Sequence, residues 1–157
     1  MFRPFHLTRA ALVAAVYVIL CIIFQPISYG IVQFRIAEAL TLLPILFVEA
    51  VPGLFIGCLL ANIIGGYGVF DIFGGSLVTL LAAMVTYWYR RSLIAYLSPI
   101  LFNAFLISIY LTIIVGEAPY YMWVLSIMLG QSVVILFLGV PLLRVLSKAL
   151  PHLDRSE

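Results

Sequence analysis

Side chains capable of chemistry are scarce in this sequence. Arg35 and Glu38 stand three residues apart, a spacing that places both on one face of a helix. They are either an ion pair that anchors a helix end or a ligand site beneath a loop, with Glu38 facing the ligand. Gln33 belongs to the same polar passage. Asn62, three residues before Gly65-Gly66, offers two donors and an acceptor, which suits the edge of a base or an amide. The same amide could instead stitch two helices together. Asp71 follows the Gly-Gly-Tyr-Gly turn and opens a helix, where an acid also complements the helix dipole. Asn103 and Gln131 are single polar residues in apolar stretches, open to ligand contact or to interhelical bonding. Tyr67, Tyr120, Tyr121 and Trp123 would form an interfacial aromatic belt, and some of these rings could stack on a planar ligand.

Signals for catalysis are weak. His6 and His152 lie near opposite termini, and neither has a metal-binding partner at helical spacing. No HExxH, GxSxG or Walker sequence occurs. Cys21 and Cys58 sit in apolar runs without CxxC spacing, so neither a metal site nor a disulfide is expected. The chain is expected not to be an enzyme and to need no cofactor of its own. Without a P-loop, any driving energy must come from a gradient or a partner.

The elements that position these residues follow from composition. Of 157 residues, 66% are hydrophobic and 9% charged, far from the pattern of a soluble domain. Stretches such as Leu54 to Ile64 do not alternate, which excludes a membrane β-barrel. A net charge of +2 gives no reason to invoke nucleic acid. The reading is an all-α integral membrane protein, one domain of six transmembrane helices at about 9–24, 37–49, 53–65, 70–89, 93–115 and 120–146. The second is short and interrupted by Pro44, and the third is also short. Such interrupted segments are tolerated at membrane depth where they line a cavity. With both termini cytoplasmic, seven of the eight Lys and Arg fall inside and only Arg35 falls outside. Glu38, Asp71 and Glu117 then lie at the outer ends of helices, leaving that face net acidic.

Ala10, Ala11, Ala14 and Ala15 form a small-residue stripe in the first helix. Small-xxx-small spacing lets a second helix approach closely, either within the bundle or from a partner in the same membrane.

The run from Gln33 to Pro44 (QFRIAEALTLLP) resembles the signature of the QueT family. Gly57 to Gly66 (GCLLANIIGG), then Asp71 and Gly75 to Leu80, resemble it too. That family comprises substrate-binding S components of energy-coupling factor (ECF) transporters, associated with uptake of queuosine precursors. The resemblance implies a six-helix bundle of the ECF S-component type in the plasma membrane, docked on the membrane coupling subunit EcfT. Two cytoplasmic ATPase subunits would use the ATP. The helix 1 alanines resemble the docking feature of such components. The implied ligand is 7-aminomethyl-7-deazaguanine or a related deazaguanine. Independently of the family, Glu38 and Asn62 suit a guanine-like edge, whose adjacent N–H donors a carboxylate accepts in pairs. The alternatives are another small vitamin-like ligand on the same architecture, or a membrane-embedded enzyme or assembly factor using Arg35 and Glu38 on lipid-linked substrates.

Overall fold

The computed structural model describes residues 4–28, 34–66, 68–114 and 116–149. Among these, six main helices run in order: α1 (Pro4–Ile23), α2 (Ile36–Ile45), α3 (Ala50–Gly65), α4 (Asp71–Trp88), α5 (Ile94–Ile114) and α6 (Tyr120–Ala149). A single turn, Gln25–Ser28, follows α1. No strand occurs among the described residues.

Four of the six, α1, α4, α5 and α6, are long and apolar enough to cross a membrane. The other two of the six expected helices, α2 and α3, are apolar but shorter, at 10 and 16 residues. The α2 segment is a 3-10 helix of ten residues with Pro44 inside it. At about 2.0 Å per residue it covers roughly 20 Å. It ends at Ile45, short of the expected Glu49. The α3 helix starts at Ala50, earlier than expected, because Pro52 falls in its first turn, where no intrahelical N–H bond is lost. It stops at Gly66, which takes φ 68° and returns its N–H to the carbonyls of Asn62 and Ile63. That left-handed cap suits glycine. The first helix begins at Pro4 and the last runs to Ala149, both beyond the expected ends.

Polarity is arranged inside out. Leu12, Ile19, Leu60, Leu81, Leu97, Leu125 and Leu136 are exposed, whereas Glu38, Asn62, Asn103 and Gln131 are buried. An apolar exterior of this extent fits lipid rather than water. The core joins α1, α2 and α3 through Tyr17, Leu42, Leu54 and Cys58, and reaches α6 at Ile135. A second cluster joins α4, α5 and α6 through Val78, Ala104, Ile107 and Ile127. Every residue from Ala37 to Pro44 is buried, so α2 runs through the middle of the bundle.

Close approach of α1 and α3 depends on two glycines. A Cβ at Gly53 would stand 2.7 Å from the Ala10 carbonyl oxygen, and one at Gly57 would stand 3.1 Å from Ala14 Cα. Ala10 and Ala14 are therefore consumed by packing within the chain. Ala11 and Ala15 are exposed. Of the four alanines of the stripe, Ala10 and Ala14 pack against α3 and Ala11 and Ala15 face outward.

Candidate functional site

The helix ends sort charge. Glu38 of α2 bonds to Tyr17 of α1, while at the far end Arg9 of α1 stands over the ring of Phe47, so these two helices are antiparallel. The contacts of Asn62 with Asp71 and of Thr86 with Ser98 continue the alternation through α3, α4 and α5. One end of the bundle consequently gathers Arg35, Glu38, Asn62, Asp71 and Tyr110. The other holds His6, Arg9, Glu49, Arg90 and Arg91.

Glu38 is fully buried. Tyr17 donates its hydroxyl to Oε1 at 2.6 Å, and Asn103 donates Nδ2 to Oε2 at 3.1 Å. Thr41 donates to the Glu38 carbonyl at 2.6 Å, bracing the same turn. Of the two alternatives for Arg35 and Glu38, the ion pair is not seen among the described residues. Arg35 precedes α2 in a non-helical conformation (φ −81°, ψ 88°), so its side chain leaves the Glu38 face. Its guanidinium reaches Asp71 instead, with Nη2 at 3.6 Å from Oδ1. Tyr110 of α5 donates its hydroxyl to that same Oδ1.

Asn62 is buried and directed at the chain itself. Its Nδ2 donates to the Asp71 backbone carbonyl at 2.6 Å and lies 3.5 Å from Cys58 Sγ. Thr79 donates to the same sulfur at 3.5 Å. A Cβ at Gly75 would come within 3.3 Å of Asn62 Nδ2 and 3.7 Å of Asp71 Oδ1, so glycine leaves room for this junction of α3 and α4.

Two candidate residues begin wide π turns: Asp71 opens Asp71–Gly75, and Asn103 opens Asn103–Ile107. Single π turns within helices frequently mark functional sites. The third, Ile135–Gly139, starts one turn beyond Gln131. Because α5 and α6 share Ile107 and Ile127 in one cluster and run antiparallel, one turn along each brings Asn103 and Gln131 to a common depth. Asn103 Oδ1, Gln131 Oε1 and Trp123 Nε1 are buried without a hydrogen-bond partner among the described residues. Buried polar atoms are rarely left so, and here two acceptors and one donor await partners.

The structure thus joins Arg35, Asn62 and Asp71 in one group and Glu38 and Asn103 in another at the same end of the bundle, with Gln131 level with Asn103. Gln33 and Tyr67 lie outside the described residues. Sequence reasoning misses Tyr17, Tyr110 and Thr79 as members of the site, and it gives Cys58 no part in it. Tyr17 carried a usable signal, since it continues the face of Ala10 and Ala14 and is the only hydroxyl between Ala10 and Ile23.

At the opposite end His6 Nδ1 pairs with Glu49 Oε1, and Arg9 Nη1 stands 3.5 Å from the same oxygen. Burial pushes the Glu49 carboxyl up. The hydrogen bond from His6, its own backbone N–H and the Arg9 guanidinium outweigh that, holding it below its ordinary value of 4.5. Beside it, an apolar groove of about 750 Å³ is lined by Leu7, Ala10, Pro52, Ile56, Met84 and Trp88, among others. Among the described residues no three His, Cys, Asp or Glu side chains group as metal ligands would.

A family model described as QueT transporter matches residues 7–148. No curated protein matches the chain, and no solved structure does.

Proposed function

The chain belongs to the QueT transporter family, and from that premise we propose that it is the substrate-binding S component of an ECF importer. Its proposed ligand is 7-aminomethyl-7-deazaguanine or a related deazaguanine. One observation carries the reading. A fully buried carboxyl, Glu38, is held by two neutral donors, and buried amide oxygens of Asn103 and Gln131 lack donors. An unmatched buried acceptor is unfavourable by about 1–3 kcal/mol, so a ligand rich in N–H groups is favoured there. A guanine-like edge presents such donors side by side.

The remaining parts of the proposal follow from the ends of the bundle. The end with Glu38 and Asp71 faces outside, and the end with Arg90 and Arg91 faces the cytoplasm, in keeping with retention of basic residues there. Ala11 and Ala15 contact the coupling subunit, and two partner ATPases supply the energy. The test is native mass spectrometry of the purified protein with added deazaguanines. A one-to-one complex with the aminomethyl base is expected. Retention of an unrelated vitamin-like molecule in place of deazaguanines would reject the ligand assignment, and turnover of a lipid-linked substrate would reject the transport reading.

A further inference from the structure

The two carboxylates of the site differ in how much of each remains open. Glu38 is 0% exposed, and each of its oxygens already accepts a hydrogen bond, one from Tyr17 and one from Asn103. No cation stands within ion-pair distance of it among the described residues. The Asp71 side chain is 17% exposed. Arg35 and Tyr110 both act on its Oδ1, and Oδ2 has no partner among the described residues. Asn62 fixes the Asp71 backbone, and Gly75 leaves the carboxylate room. Asp71 is thus a partly exposed carboxylate whose backbone is held by Asn62 and whose Oδ2 has no hydrogen-bond or ion-pair partner among the described residues.

A primary ammonium loses strong hydration on burial, and that loss is smallest where the receiving carboxylate is itself partly solvated. Neutral N–H groups carry no such penalty and suit the dry acceptors around Glu38. The cluster sets two carboxyl groups, Glu38 and Asp71, against one guanidinium, Arg35, a balance that suits a ligand carrying a cation. The geometry points to a division of labour, resting on the ligand-binding reading above: Asp71 Oδ2 takes the cationic amine of the ligand, and Glu38 with Asn103 and Gln131 takes the neutral base edge. Asp71 is then the residue that sets preference for an aminomethyl base over an uncharged analogue, while Arg35 and Tyr110 position it from the other oxygen.

The experiment is equilibrium titration of wild type, Asp71→Asn and Glu38→Gln with 7-aminomethyl-7-deazaguanine and with its neutral 7-cyano analogue. Wild type is expected to prefer the aminomethyl base. Asp71→Asn is expected to weaken that base at least tenfold and leave the cyano base within twofold, so that the preference collapses. Glu38→Gln is expected to weaken both by similar factors. If Asp71→Asn does not fold, Asp71→Ser carries the same expectation. Asp71 variants that keep the wild-type preference, or a Glu38→Gln variant that loses it, would overturn the division while leaving the ligand reading intact. Wild type binding neither base would overturn both.

Discussion

Gly57→Ala probes whether the site stands on the contact of α1 with α3. The added Cβ would lie 2.9 Å from Tyr17 Cβ and 3.1 Å from both Ala14 Cα and the Ala14 carbonyl oxygen. Carbon atoms rest about 3.5–4.0 Å apart, so α1 must retreat by roughly 0.5–1 Å. None of these atoms is the free end of a flexible side chain, so a rotamer change cannot absorb the clash. Overpacking of this kind costs about 1–3 kcal/mol. The same displacement acts on Tyr17, whose hydroxyl reaches Glu38 at 2.6 Å. Stretched by roughly 0.5 Å or more, that bond leaves the usual O–H···O range of about 2.5–3.0 Å. A hydrogen bond to a charged group contributes about 1.5–3 kcal/mol. Losing about half of it corresponds to roughly tenfold in ligand affinity, at about 1.4 kcal/mol per decade. The assay is thermal unfolding and ligand titration of the variant in one detergent, with Gly66→Ala beside it. A Cβ at Gly66 meets nothing within 4 Å and strains only a φ of 68°, which costs about 1–2 kcal/mol and leaves affinity unchanged. Gly57→Ala that unfolds and binds as wild type does, or Gly66→Ala that weakens binding equally, would refute the reasoning.

Further predictions concern the other end of the bundle and its partners. Because Glu49 is held below its ordinary value of 4.5, its contribution is fully present above that value and is lost as pH falls through the depressed one. Thermal midpoints of wild type and Glu49→Gln should therefore differ at pH 6 or above and converge on acidification; a gap that widens in acid would contradict the sign. For orientation, a cysteine at Glu117 should label from outside and one at Ser92 should not, with the reverse pattern contradicting the proposed topology. Ala11 or Ala15 replaced by Leu should abolish uptake by the full complex while the isolated subunit still binds ligand. Ala14→Leu should disturb both, and equal behaviour of all three would remove the distinction between the exposed and packed alanines.

The helical class and the membrane setting were legible because composition and unbroken apolar runs leave few alternatives. The clustering of Arg35, Glu38, Asn62, Asp71 and Asn103 was legible in part, since polar side chains in apolar helices seek one another. Their pairing was not. Whether Arg35 meets Glu38 or Asp71 depends on the backbone before α2, where one non-helical residue swings the guanidinium off the helix face. The winding of α2 as a 3-10 helix, and the π turns at Asp71 and Asn103, leave no mark in hydrophobic periodicity, which cannot separate these windings in uniformly apolar sequence. Tyr17 and Tyr110 were obscured for a related reason. Aromatic residues are common in membrane helices, and only the packed structure shows which hydroxyls meet a carboxylate. The alanine stripe was visible, but its division between α3 and the exterior follows from Gly53 and Gly57, residues of another helix.

The central claim is that Glu38 anchors a bound deazaguanine within this bundle, and calorimetric titration of folded wild type and Glu38→Gln with 7-aminomethyl-7-deazaguanine tests it most directly. Losing a buried carboxylate's hydrogen bonds to the neutral N–H donors of a base is unfavourable by about 1.5–3 kcal/mol, which at about 1.4 kcal/mol per decade is roughly tenfold to a hundredfold. The account predicts one-to-one binding by wild type and affinity at least about tenfold lower for Glu38→Gln. Equal affinity of the two proteins would contradict it and return Glu38, with Tyr17 and Asn103, to a purely structural network.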